Sequence, residues 1–331
     1  MSSIVVIGAG MAGLTAARAL AVRHQVLVID KGRGVGGRMA TRRLSTAGEP
    51  GNRAGGVGPS ADHGAQFLTT HTAEFAATVA EWQAQGLVAA WFHGLVGPHG
   101  VGAADGHVRY RGVPTMNAIA RHLARGLSVQ VGTRVSAVRP RGRGWVVETD
   151  RGVHEAQALV MTPPVPQSLD LLTAGGTALA PDDAAALGAV RYDPCLALMV
   201  PLAGPSGLPA PGAVDPAAGP IEWMADNQIK GVAGEPVVTI HADAAFTLAA
   251  WDAPVEDVAR PLLAAAALAG EPILTRAQLH RWRYARPVVL HPEACLVAAG
   301  LPPLVFAGDA FGRPAVEGAA LSGAAAAAAL T

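Results

Sequence analysis

The sequence predicts an α/β protein of two domains, one of them assembled from both ends of the chain. Three observations predict it. The first 30 residues read as strand, helix, strand around a glycine-rich turn at residues 8–13, with an acidic residue closing the second strand. A last apolar run at 304–307 leads into a glycine-punctuated helix from about Val316. The whole chain, at 331 residues, is too long for one simple core.

In chain order, the β-branched run at 3–7 is a strand, 11–21 a helix and 25–30 a second strand. Residues 31–60 are rich in Gly, Arg and polar side chains and read as loop, with 46–61 especially glycine-rich and long enough to reshape an entrance. Phe75, Val79 and Trp82 recur at helical spacing within 74–85, whereas 87–96 and 107–110 look like strand pieces. Residues 117–127 read as a helix. Runs at 129–131, 135–138 and 145–148 suggest one small antiparallel layer, and 158–162 a buried strand. Prolines and glycines cluster from 163 to 220, broken by a strand at 195–200, and this is where a second domain would leave the first. Strands are expected at 237–241, 246–250 and 278–284, and a helix at 255–268 behind Pro254. The resulting division is 1–70, 112–165 and 286–331 for one domain, and 71–111 and 166–285 for a mixed-sheet partner.

Composition excludes several functions. Basic and acidic residues balance at 25 each, so no long-range field favours nucleic acid or an anionic membrane. Cys195 and Cys295 form neither a CxxC pair nor a zinc-ligand cluster, which argues against dithiol redox chemistry and structural metal. The apolar run at 4–7 has no basic leader ahead of it, and the Ala-rich stretch at 319–330 is too short to span a bilayer. The expectation is a cytoplasmic protein acting on a small molecule.

Gly8-Ala9-Gly10-Met11-Ala12-Gly13 follows a strand and opens a helix, and Asp30 ends the next strand. In such a Rossmann-like turn Gly8 permits the sharp bend, Gly10 lets backbone approach a pyrophosphate and Gly13 lets helix and strand pack closely. Free N–H groups at the helix N-terminus, beginning near Ala12, face the anion. Asp30 would accept hydrogen bonds from ribose hydroxyls, with Lys31 beside it. This pattern alone does not choose between NAD and FAD. A second match at residues 32–37 has no strand of its own and is rejected as a second nucleotide fold, so no separate nicotinamide domain is expected.

Gly36-Gly37-Arg38-Met39-Ala40-Thr41 resembles the GG-R-x-x-T segment of the amine-oxidase and renalase flavoproteins, which implies that Arg38 clamps the FAD pyrophosphate. Asp62-His63-Gly64-Ala65-Gln66-Phe67 resembles the D-x-G-A-Q-aromatic segment of the same families, implying that Gln66 and Phe67 contact FAD. His63 reads as a hydrogen-bonding spacer. Phe306-Ala307-Gly308-Asp309, with residues 317–324, resembles the C-terminal flavin signature of the p-hydroxybenzoate-hydroxylase-like fold. There Asp309 would bind the ribityl chain, and the following helix, carrying Glu317 and Ala319, would direct its positive end at the flavin. Val135 is counted with the cofactor contacts. Neither cysteine falls in a flavin signature, so FAD is expected to be noncovalent.

Motif order resembles renalase over nearly the whole length, including Val113-Pro114 to Met116 and Leu279 to Ala285. The resemblance implies an oxidase that takes a hydride from 2- or 6-dihydroNAD(P), passes the electrons to O2 and yields NAD(P)+ and H2O2. It makes His241, Trp282, Tyr284 and Tyr192 the candidates for a pocket wall over the flavin. Trp282 and Tyr284, at period two, would equally suit residues facing a core. A flavin amine oxidase or related FAD-dependent dehydrogenase is the alternative. The amine-oxidase family carries paired rings facing the flavin and often a lysine near N5, whereas here Phe311 is the one ring before the last helix and the lysines are Lys31 and Lys230. A flavin-bound protein that never turns over is the third reading.

Overall fold

The computed structural model describes residues 2–44 and 59–331; the 46–61 segment therefore lies largely outside the described residues. The chain forms two compact units, Met1–Gly37 with Ile119–Tyr192 and Arg286–Thr331, and Arg38–Ala118 with Asp193–Ala285.

In the first unit a six-stranded sheet runs in the order Leu296–Val297, Leu304–Phe306, Ala158–Met161, Ser3–Ile7, Gln25–Ile29, Ser128–Gln130. All neighbours pair in parallel except the short first strand. Ile4 to Ile7 and Ala158 to Met161 are buried throughout, the pattern of strands covered on both faces. The helices Met11–Leu20 and Ala315–Ala328 pack together, and small side chains allow it: a Cβ on Gly323 would collide with the Ala12 carbonyl oxygen. A three-stranded antiparallel layer, Val135–Arg141, Gly144–Thr149 and Gly152–Ala156, adds Trp145 to the core, its indole N–H donating to Pro303 O at 3.1 Å.

In the second unit a five-stranded sheet is ordered Ala213–Val214, Ile221–Asp226, Val237–Ala242, Arg191–Pro201, Gln278–Val289. Its register sorts the two faces. Met224, Ile240 and Leu198 stand in one row, in the core that Val258 and Leu262 of helix Val255–Ala266 join. Trp223, His241 and Ala197 stand in the adjacent row and point to the other face. Met199, on that second face, meets Leu44 and Ala61 in a small apolar cluster. A hairpin, Val88–His93 with Val108–Gly112, and helix Ala73–Ala84 complete the unit, with Phe75, Val79 and Trp82 buried as their spacing requires.

Several expectations are corrected. Residues 128–130 leave the antiparallel layer and form the edge of the parallel sheet beside Gln25–Ile29, while Gly152–Ala156 takes the third place in the layer. Residues 246–250 are not a strand but the end and C-cap of helix Ala244–Ala249, started by the Asp243 carboxylate, which accepts from Phe246 N at 2.6 Å. The Pro-rich stretch after 163 contains helices Val165–Ala174 and Pro181–Gly188, because proline at a helix start has no N–H to lose. The loop at 31–60 holds a one-turn 3-10 helix, Gly37–Met39, and strand Thr41–Arg43, which pairs with Ser60–Asp62. The two compact units divide the chain at other places than the expected domains, with Arg38–Ala118 together in the second unit and Ile119–Tyr192 together in the first. Among the described residues no helix is long and apolar enough to cross a membrane.

Candidate functional site

Strand Ser3–Ile7 runs into the glycine turn. Gly8 has φ +104°, and a Cβ there would collide with Thr162 Oγ1. At Gly13 a Cβ would collide with the Gly8 carbonyl oxygen, so helix and turn pack backbone to backbone. Gly10 differs: a Cβ there would meet nothing within 4 Å. It is the N-cap of helix Met11–Leu20, with no side-chain hydrogen bond to the first turn. The turn therefore offers open space and uncapped N–H donors on one side, the form an anion cradle takes.

Asp30 closes the cradle with both oxygens, Oδ2 accepting from Ala9 N and Oδ1 from Gly32 N, each at 2.6 Å. It shapes the turn as well as retaining lone pairs for a ligand. Lys31 donates to Gln167 Oε1 at 2.8 Å, and burial followed by the Arg134 charge lowers its pKa. Val135 sits in the hydrophobic core of this unit. Asp309 is buried after the strand Leu304–Phe306, and the turn before it is tied by Gly308 N donating to Ser322 Oγ at 2.8 Å. Glu317 is buried in the first turn of the last helix, 3.7 Å from Arg313, with Ala319 half-buried behind it. Ala12 is buried under Gly323.

Tyr192 also belongs to this unit. Its hydroxyl accepts from Val165 N at 3.2 Å and its ring packs on the core of that unit.

In the second unit His241 and Trp282 converge. His241 Nε2 and the Trp282 indole N–H both reach the carbonyl oxygen of His63, at 3.2 and 2.8 Å. The His63 ring stacks on Trp282, centroids 5.3 Å apart and planes at 24°, and meets His280 edge-on at 4.9 Å. His280 and Trp282 are 4.1 Å apart. Tyr284 lies two residues further along the strand, and its carbonyl accepts from Arg38 at 3.2 Å. Burial lowers the pKa of all three imidazoles, His63 to about 3 and His241 and His280 to about 4. For His63 the neighbouring His280 and Arg42 charges act in the same direction. All three are neutral near pH 7.

Under this ring cluster lies a buried ion pair. Lys230 Nζ is 2.8 Å from Asp62 Oδ2 and 3.3 Å from Gln66 Oε1, and stands 5.0 Å from the Trp91 ring centroid. Burial lowers the lysine pKa, and the Asp62 charge opposes the shift. Gln66 is thus committed inside the unit. Phe67 packs against Phe92 and Trp223, with the Arg109 guanidinium 6.0 Å above it. The described residues contain no group of three or more side chains placed to hold a metal ion.

Sequence reasoning read His63 as a hydrogen-bonding spacer and weighed Lys230 only as one of two lysines, and it singled out neither His280 nor Trp223. His280 carried a signal, since it shares a strand face with Trp282. Lys230 carried a weaker one, as one of two lysines in an apolar chain.

Fold and glycine turn together define an α/β protein with a Rossmann-like unit and a second, sheet-based unit. Residues 6–82 match the family described as NAD(P)-binding Rossmann-like domain. Among solved structures, a putrescine oxidase variant is similar at TM-score 0.72 and 14% identity, covering 99% of this chain and 98% of that one. A wild-type putrescine oxidase bound to putrescine is similar at TM-score 0.69 and 15% identity, over 99% and 98%. A protein from Exiguobacterium sp. 255-15 assigned as a protoporphyrinogen oxidase is similar at TM-score 0.70 and 12% identity, over the same shares. At such identities the likeness is one of fold.

Proposed function

We propose that the chain is an FAD-dependent oxidoreductase that binds its cofactor noncovalently and oxidises 2- or 6-dihydroNAD(P), with O2 as the final acceptor and NAD(P)+ and H2O2 as products. The observation that carries the substrate reading is the ring cluster of the second unit. Three neutral imidazoles and the Trp282 indole form an uncharged, ring-lined surface, the His63 and Trp282 planes within 24° of each other and His280 edge-on to both. His241 is joined through the His63 carbonyl, and the Asp62 carboxylate is neutralised by Lys230. Such a surface suits a planar dihydropyridine and lacks a counter-charge for a cationic amine.

The residues fit FAD. The open side of Gly10 and the uncapped first turn of helix Met11–Leu20 suit a pyrophosphate, Asp30 retains lone pairs for a ribose, and Asp309 and the last helix suit the flavin end. When bound, FAD supplies a two-electron acceptor that receives a hydride and later yields it, with a proton, to oxygen. His63, Trp282 and His280 would hold the donor ring flat and keep water away, and neutral His241 would orient it by hydrogen bonding. No side-chain nucleophile is needed.

Amine oxidation is the second reading, favoured by the fold likeness to putrescine oxidase. Against it, Phe311 is 2% exposed within the first unit's core and does not present a cage ring, and the Lys230 ammonium is committed to Asp62. The test is anaerobic mixing of the holoprotein with 2- or 6-dihydroNAD(P) and, separately, with a panel of amines. Bleaching of the flavin by dihydronicotinamides supports the proposal; bleaching by amines alone overturns it. Bleaching by neither favours a flavin-bound protein without turnover.

A further inference from the structure

We infer that Lys230 is a positioning residue for the substrate site: clamped between Asp62 and Gln66, its ammonium sets the place of the His63 carbonyl to which His241 and Trp282 are tied. The functional meaning rests on the reading above, while the clamp itself is a matter of geometry within the second unit.

Lys230 is fully buried, and its charge meets Asp62 Oδ2, Gln66 Oε1 and the Trp91 ring. Because Gln66 Oε1 accepts from the ammonium, its amide nitrogen is turned the other way, donating to Asp62 O at 2.7 Å and Gly64 O at 3.2 Å. Thr239 Oγ1 donates to the same Asp62 carbonyl at 2.9 Å, and Asp62 N donates to Asn227 Oδ1 at 3.0 Å. The other carboxylate oxygen of Asp62 accepts from Thr41 Oγ1 at 2.5 Å and Met116 N at 3.2 Å. Both neighbours of His63 are thereby pinned on their backbone, which leaves the His63 carbonyl one direction to point. A carbonyl oxygen only accepts, so neutral His241 carries its proton on Nε2 and keeps Nδ1 as an acceptor. The Lys230 charge also acts on His241 across space, lowering its pKa behind the larger effect of burial, while the tautomer of His241 and the tilt of Trp282 depend on the carbonyl that Lys230 helps to hold.

The test compares wild-type holoprotein with Lys230→Met and Lys230→Ala, the latter with n-propylammonium chloride or, as an uncharged control, 1-propanol. Readouts are the 15N ring shifts of His241, melting temperature, and kcat and KM with dihydronicotinamide. In Lys230→Met the His241 signal should become a mixture of tautomers, and kcat/KM should fall about a hundredfold, chiefly in kcat. Propylammonium should return both in Lys230→Ala, and propanol neither. If Lys230→Met does not fold, Asp62→Asn/Lys230→Met keeps the volume without the buried charges and is read in the same way. A His241 signal that stays with the Nε2–H tautomer, or a propylammonium effect confined to melting temperature, overturns the inference. If the wild type fails to oxidise dihydronicotinamides, the substrate reading falls, and the tautomer and propylammonium results still decide the role of Lys230.

Discussion

The ammonium of Lys230 lies 2.8 Å from Oδ2 of Asp62, and both side chains are wholly withdrawn from solvent. Removing one member of such a pair leaves the other as an uncompensated buried charge. Asp62→Ala should therefore lower unfolding stability by about 3–5 kcal/mol. Asp62→Asn/Lys230→Met, lacking both charges, should recover more than half of that loss in urea unfolding. A double variant no more stable than Asp62→Ala would contradict this.

Gly10 and Gly13 stand three residues apart in one motif and should respond oppositely to alanine. At Gly13 the new methyl group meets the Gly8 carbonyl and comes within 2.9 Å of Thr162 Oγ1, so Gly13→Ala should cost about 2 kcal/mol or more of stability even without cofactor. At Gly10 the methyl group enters open space. Gly10→Ala should fold like wild type, within about 0.5 kcal/mol, yet bind FAD about tenfold more weakly. Calorimetric melting of the apoprotein and FAD titration separate the two, and unchanged FAD affinity in Gly10→Ala would count against a pyrophosphate at that turn.

The ring cluster should make stability depend on pH. Each imidazole has a folded pKa below its unfolded value, His63 at about 3 and His241 and His280 at about 4. The unfolded chain therefore binds more protons as pH falls through about 6.5, so stability is complete above that value and declines towards the folded pKa values. At pH 5.5 His63 alone corresponds to about 1.4 kcal/mol. His63→Leu should flatten the decline between pH 7 and 5, measured by urea midpoints, and an unchanged slope would refute the assignment.

Asp243 starts the helix that replaces an expected strand. Asp243→Ala should lower stability by about 1 kcal/mol, while Asp243→Asn should lose much less because its amide oxygen still accepts from Phe246 N. Equal losses would point to the charge instead of the cap.

Local chemistry made the nucleotide turn readable. Gly13 packs on Gly8 O and Asp30 accepts from Gly32 N, atoms close in the chain, and the strand before the turn has the unbroken apolar run that burial on both faces requires. The helix of Phe75, Val79 and Trp82 was readable for the same reason, since 3.6-residue periodicity is a property of neighbours. Residues 246–250 misled because a short apolar run suits either strand or helix, and the deciding contact comes from Asp243 just outside it. Ser128–Gln130 misled because its partner is Gln25–Ile29, a hundred residues earlier, which nearby sequence cannot announce.

The sequence by itself determined the glycine turn, the α/β class and the closing helix, because these follow from backbone geometry that particular residues permit or forbid and from the local period of apolar side chains. Tertiary structure alone decided that His63, His241 and Trp282 share one carbonyl, and that Lys230 is an internal counter-ion to Asp62, 168 positions away. Register and burial set those contacts. A residue cannot reveal its partner until the sheet has brought the two together, and the charge of a buried lysine has no meaning apart from the carboxylate it meets.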